Sequence, residues 1–216
     1  MIKYLGSKRR LVPMLGDLFA MSGAETALDL FTGTTRVAQE FKRRGAHVTA
    51  VDSARYAEVF AQCHIATDLV DVDKDDLRAA LVHLSGLPGM PGYFTETFCR
   101  RSRFVQPFNG ERIDAIRDEI ESEFASSPLY PILLTSLIYA TDRVDSTVGI
   151  QMAYLKRWAP RSFNALDLYA PRLYAGPGRA IRGDACQVVS ELPKVDFAYL
   201  DPPYNQVRYS ATYHIW

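Results

Sequence analysis

Ala27-Leu28-Asp29-Leu30-Phe31-Thr32-Gly33-Thr34-Thr35, read together with His47-Val48-Thr49-Ala50-Val51-Asp52, decides the fold. The apolar run at 27–31 has the length of a buried strand, Gly33 supplies a turn, and residues 35–44 follow with helical character before the second strand at 47–52. This is a βαβ unit. Gly45 stands where the helix must stop, and Lys42-Arg43-Arg44 fill its last turn, where the helix dipole favours cations. A right-handed crossover onto a parallel sheet follows from that order.

Working outward, Ala180-Ile181-Arg182-Gly183 leads to Asp184, and Val195-Asp196-Phe197-Ala198-Tyr199-Leu200 leads to Asp201, so two further strands each stop at an acid. Between the halves, residues 71–175 read as helix and loop. Ile113, Ile116, Ile120 and Phe124 recur at helical spacing, 129–139 is an apolar helix, and 142–161 is a polar and aromatic loop. Sheet strands flank this stretch on both sides, which predicts a lobe inserted into one α/β core made of 1–70 and 176–216.

The bulk composition permits this and narrows little else. With 25 basic and 25 acidic side chains, any polyanion must be held by a local basic surface. Cys63, Cys99 and Cys186 are odd in number, with no Cys-x-x-Cys pair, which predicts a reducing cytoplasm and no bound metal. Lys8-Arg9-Arg10 precedes a short apolar run that Asp17 interrupts, too short for a signal peptide, and no stretch predicts a membrane span. Cys63-His64 lacks partners at ligand spacing and reads as packing.

Asp201-Pro202-Pro203-Tyr204 carries the most chemistry. An exocyclic adenine amine is a poor nucleophile, because its lone pair is delocalised into the ring. The Asp201 carboxylate and the Pro202 carbonyl are two acceptors for the amine hydrogens, and the prolines fix the turn and remove competing N–H donors. Tyr204 offers a flat face for an extruded base. The alternative is a plain proline turn that ends a strand. At the first strand, Gly33 admits a close backbone approach, and Asp29 can hold the amino group of a methionine moiety. Asp52 can accept both ribose hydroxyls of a nucleoside cofactor. A nicotinamide enzyme is disfavoured, since Thr34-Thr35-Arg36 occupies the space that a diphosphate needs.

Taken in order, Lys3-Tyr4-Leu5-Gly6-Ser7-Lys8, residues 29–34, Asp52, Asp184 and 201–204 resemble the Dam-type adenine-specific DNA methyltransferases along essentially the whole chain. The resemblance implies a Rossmann-like methyltransferase core, S-adenosylmethionine (SAM) as methyl donor, and a target-recognition lobe at 71–175. It implies cofactor contacts from Tyr4, Lys8, Asp29, Phe31, Gly33, Asp52 and Asp201, with Asp184 near the adenine ring of the cofactor. Asp201, Pro202 and Tyr204 take the catalytic positions. Thr34-Thr35 departs from the family's second glycine. The family's sheet order, 3-2-1-4-5-7-6, leaves strands 3, 2, 1 and 4 here, which predicts a core incomplete at its C-terminus: a truncated form, a natural fragment, or half of a split enzyme completed by a second polypeptide.

Arg100, Arg101 and Arg103 among Phe98, Phe104 and Phe108 are candidates for contact with double-stranded DNA, as are Lys156 and Arg157 beside Trp158, with Arg161 following. A solvated basic face is the plain alternative. The expectation is therefore site-specific methylation of adenine N6 in DNA, within a restriction-modification pair. The rivals are an enzyme acting on RNA or protein amide nitrogen, and a catalytically inactive DNA- or partner-binding fragment.

Overall fold

A computed structural model of the 216-residue chain describes residues 3, 8–203 and 212–216. From the N-terminus these form α1 (Val12–Ser22), β1 (Thr26–Asp29), α2 (Arg36–Arg43), β2 (His47–Asp52), α3 (Arg55–Ala61), α4 (Lys74–Gly86), α5 (Pro107–Phe124) and α6 (Tyr130–Val144). Then follow β3 (Gly178–Arg182), α7 (Ala185–Val188) and β4 (Phe197–Tyr199). All strand pairings are parallel, in the order β3-β2-β1-β4. The architecture is α/β, with helices packed on an all-parallel sheet.

The chain divides into two compact units. One comprises, among described residues, 8–73 and 171–203, and holds the sheet. In it, Ala27 and Leu28 of β1 and Val48, Ala50 and Val51 of β2 are buried, as expected for central parallel strands covered on both faces. Alternate residues serve opposite faces. Ala27, Val48 and Ala50 join Phe19, Phe41 and Phe197, whose rings meet at 5.2–5.6 Å between centroids. Leu28 and Val51 pack with Ile181, Val188 and Val195 on the other face.

Lys42 lies in the last turn of α2, as expected, but it is not a solvent-exposed cation. Its side chain is buried, and Nζ donates to the carbonyls of Ile65 and Thr67 at 2.6 Å each, so the cation satisfies the end of the helical segment that continues α3. Burial pulls its pKa down.

The second unit comprises, among described residues, Lys3, 74–170 and 212–216. Ile113, Ile116 and Ile120 of α5 and Ile132, Leu133 and Leu137 of α6 are buried, and a proline in the first turn of each helix costs no hydrogen bond. The sequence placed 176–216 in the sheet core, whereas 212–216 group with the helices. Gln151 N–H donates to the Thr212 carbonyl at 2.9 Å, and His214 packs on Phe98 and Phe104. Among the described residues, no helix is long and apolar enough to cross a membrane.

Candidate active site and nucleic-acid interface

Parallel pairing brings the carboxyl ends of four strands to one edge of the sheet unit. Asp29 stands in register with Ala50 of β2 and Tyr199 of β4, and Asp52 and Asp201 each follow that neighbour by two residues. On the far side of β2, Asp52 is in register with Arg182, which Asp184 again follows by two. The acids singled out in the sequence therefore belong to one edge.

Asp29 is only 1% exposed. Its Oδ2 accepts from Thr32 Oγ1 at 3.1 Å and from the Ala38 N–H at 3.2 Å, while Oδ1 has no partner among the described residues. Burial pushes its pKa up to about 7, against which those two hydrogen bonds work; the Asp52 and Asp201 charges add to the rise. Asp52 accepts from the Gly33 N–H and the Ala54 N–H at 2.9 Å each, which stitches the glycine turn to the end of β2. Burial raises its pKa also. Phe31 is half-buried and Gly33 buried beside these acids in the chain.

The turn accommodates threonine at a cost. Gly33 has φ 50°, and Thr35 has φ 60°, making it the one described non-glycine residue with positive φ. Its hydroxyl donates to the Thr34 carbonyl at 2.7 Å and accepts from Gln39 Nε2 at 2.8 Å, so local side-chain bonds hold a backbone that glycine would adopt freely.

After β4, Asp201 pairs through Oδ2 with Lys8 Nζ at 2.8 Å, and both side chains are partly exposed. Pro202 and Pro203 are exposed. Asp184 is exposed and accepts from the Cys186 N–H at 2.8 Å. Tyr4 and Tyr204 lie outside the described residues. His64 is buried with Nδ1 against the Arg172 carbonyl at 2.9 Å, and burial lowers its pKa to about 4, so it is a neutral packing group. Among the described residues, no group of three or more His, Cys, Asp or Glu could hold a metal ion.

In the helical unit, the two basic clusters converge. Arg103 lies over the Trp158 ring at 4.8 Å and donates to the Lys156 carbonyl at 2.5 Å. Lys156 and Arg157 are exposed. Arg100 pairs with Glu111 at 3.3 Å and Glu96 at 3.8 Å, and Arg101 with Glu96 at 3.1 Å. Arg161 turns to Asp145. Sequence reasoning missed two acids that organise this surface. Asp114 is buried and accepts from the N–H groups of Gly92, Phe94 and Thr95 and from Thr95 Oγ1, all at 2.6–2.8 Å. Asp145 receives Lys3, Arg161 and Thr147. A lone acid inside a polar helix, or one just past an apolar helix, looks like any surface acid in sequence.

A parallel sheet with acids at its carboxyl edge, a glycine turn after β1 and Asp-Pro-Pro after β4 defines a Rossmann-like methyltransferase core. The chain belongs to the D12 class N6 adenine-specific DNA methyltransferase family, whose pattern matches residues 4–216. It is 29% identical to Modification methylase StsI of Streptococcus sanguinis and 29% identical to Type II methyltransferase M.NlaIII of Neisseria lactamica. It is 28% identical to Type II methyltransferase M.CviAII of Paramecium bursaria Chlorella virus 1. Each match covers 99% of this chain, but 35% of StsI and 67% of M.NlaIII and M.CviAII. No solved structure matches.

Proposed function

We propose that the protein transfers a methyl group from SAM to the N6 amine of adenine at a specific site in double-stranded DNA, as the modification partner of a restriction endonuclease in the cytoplasm. One observation carries the reading: four acids share one sheet edge, and the most buried of them keeps an oxygen unpartnered among the described residues. That oxygen, Asp29 Oδ1, suits an ammonium group such as the methionine amine of SAM. Asp52 suits the ribose hydroxyls, with Lys8, Phe31, Gly33 and Asp184, together with Tyr4 of the N-terminal motif, around the remainder. When bound, the cofactor supplies an electrophilic methyl group on a sulfonium.

The residues of this chain prepare the acceptor. The Asp201 carboxylate and the Pro202 carbonyl take the two amine hydrogens, which draws the nitrogen towards tetrahedral geometry and frees its lone pair. Lys8 orients Asp201 through Oδ2. Tyr204 stacks the extruded base. The unit containing 74–170 serves as the target-recognition lobe. Lys156 and Arg157 contact DNA there, joined by Arg103, Arg100 and Arg101. β4 pairs only with β1 among the described strands, and Ala198 and Leu200 beside its edge are exposed. A second polypeptide segment adding a strand there would cover that edge.

Calorimetry of SAM binding tests the reading. Asp52→Ala should weaken affinity by ~1.5–3 kcal/mol for each charged hydrogen bond lost to a ribose hydroxyl. Unchanged affinity would move the cofactor elsewhere.

A further inference from the structure

The loop that presents Lys156 and Arg157 is closed at its neck by one carboxylate. Asp145 follows α6 directly, and its side chain is largely buried. Oδ1 accepts from Lys3 Nζ at 2.8 Å and from Arg161 Nε at 2.9 Å, and Oδ2 from Thr147 Oγ1 at 2.6 Å. Arg161 also donates to the Thr147 carbonyl at 2.7 Å, and Ser146 Oγ accepts from the Ala159 N–H at 3.0 Å. Both ends of the segment 145–161 are thus fastened to each other. Beyond this neck, Val148, Met152 and Tyr154 are exposed with Lys156 and Arg157, and no acid occurs between Asp145 and Asp167.

Lys3 does not belong to that loop. It comes from the N-terminal motif, and it is held a second time at the end of α6: its N–H meets Asp142 Oδ1 at 3.3 Å, and its Nζ also bonds the Asp142 carbonyl. Without Lys3, Asp145 would keep Arg161 alone and Asp142 would lose its ion pair at 3.5 Å. The same motif ends at Lys8, which holds Asp201. One short segment therefore supplies a cation to the neck of the basic loop and another to the acid after β4.

We propose that Lys3 and Asp145 are a positioning pair: Lys3 closes the neck of the 146–158 loop, so that order in the DNA-facing surface depends on the N-terminal segment that also serves Asp201. The DNA part of this inference rests on the reading of the loop given above. Hydrogen exchange on the 216-residue chain reads the clamp without DNA or cofactor. Lys3→Met and Asp145→Asn should each speed exchange of the amides in 146–158 by ~10-fold or more relative to α4 and α5. Lys3→Arg should restore slow exchange. The double variant should fall short of the sum of the two single effects, because the Lys3–Asp145 pair is already lost in each. Exchange unchanged in Lys3→Met, or additive in the double variant, would overturn the clamp.

Duplex binding measured on the same proteins separates the two readings. Faster exchange with a parallel loss of duplex affinity supports both. Faster exchange with unaltered duplex affinity supports the clamp and removes the loop from the DNA interface. A loss of affinity in Lys3→Met with unaltered exchange means that Lys3 touches DNA itself, and the positioning role is then wrong.

Discussion

Asp29 of the sheet unit and Asp114 of the helical unit are both buried carboxylates, yet their surroundings treat them oppositely. Asp114 receives four donors across its two oxygens, three of them backbone N–H groups of one short stretch. Among the described residues Asp29 receives two, both on Oδ2, and Oδ1 receives none. Leaving a buried acceptor without a donor is costly, and a ligand that donates there would relieve the cost. Saturation thus suits Asp114 to holding the fold, and spare acceptor capacity suits Asp29 to the ligand role proposed for it. Asp201 falls on the second side, partly exposed and paired by one lysine.

The largest expected effect sharpens that division. Asp201→Ala should abolish methyl transfer to duplex DNA, a loss of ~10²–10³ in rate for removing one transition-state acceptor. Binding of DNA should change far less, since phosphate contacts supply most of the affinity. Radiolabelled transfer, with folding checked by melting, decides the matter: wild-type turnover in the variant would end the proposed chemistry. Asp114→Ala should do the reverse. Four donors lose their acceptor, two of them on buried Thr95, and unfolding in urea should show destabilisation by about 2–6 kcal/mol, from ~1–3 kcal/mol per buried donor left unsatisfied. A variant as stable as the wild type would mean that saturation is no guide to structural weight here.

The two acids differ equally in how far sequence could reveal them. Strand-end acids at 29, 52 and 201 were legible because parallel strands deliver their last residues to one edge, whatever the packing between them. The sheet order was not legible from the strands themselves; it came from the family resemblance, and the structure has it as β3-β2-β1-β4. Asp114 and Asp145 were not legible, because their partners lie far off in sequence: Asp114 reaches back to Gly92, and Asp145 to Lys3. Thr35 shows a third limit. Its residue type argues against a left-handed backbone, and only its bonds to Thr34 and Gln39 explain why the turn accepts it.

The raised pKa of Asp29 gives a test of intermediate size. In the folded protein the carboxyl keeps its proton up to about pH 7, against an ordinary value of 3.8. Between those values the folded state binds more protons than the unfolded state, so this group's contribution to stability falls as pH rises through that window, and its full cost is in place above about pH 7. Asp29→Asn removes the slope: relative to wild type, the variant should gain stability from pH 4 to pH 7 and then level off. An ammonium ligand requires the ionised form. SAM binding below pH 7 should therefore expel a proton, seen in calorimetry as a heat that varies with buffer ionisation enthalpy, and Asp29→Asn should lose both the proton and most of the affinity. A binding heat independent of buffer would place the amine of the ligand elsewhere.

The smallest effect concerns the exposed charges, where saturation is cheap to undo. Glu96 lies within ion-pair distance of both Arg100 and Arg101, so part of their field is spent inside the protein. Exposed pairs of this kind are worth ~0.2–1 kcal/mol, and a phosphate must displace the glutamate before either guanidinium can engage it. Glu96→Gln should then raise affinity for every duplex alike by roughly 1.4–5-fold, the equivalent of that range. It should also steepen the salt dependence, since each additional phosphate neutralised adds about 0.9 to the slope of log affinity against log salt. Arg100→Ala and Arg101→Ala should lower affinity uniformly and cancel the gain. Fluorescence anisotropy across salt concentrations, with duplexes of unrelated sequence, reads both quantities. A gain confined to one sequence would show that these arginines read bases. No gain at all would show that they serve the fold as the partners of Glu96 and Glu111, as Asp114 serves it nearby.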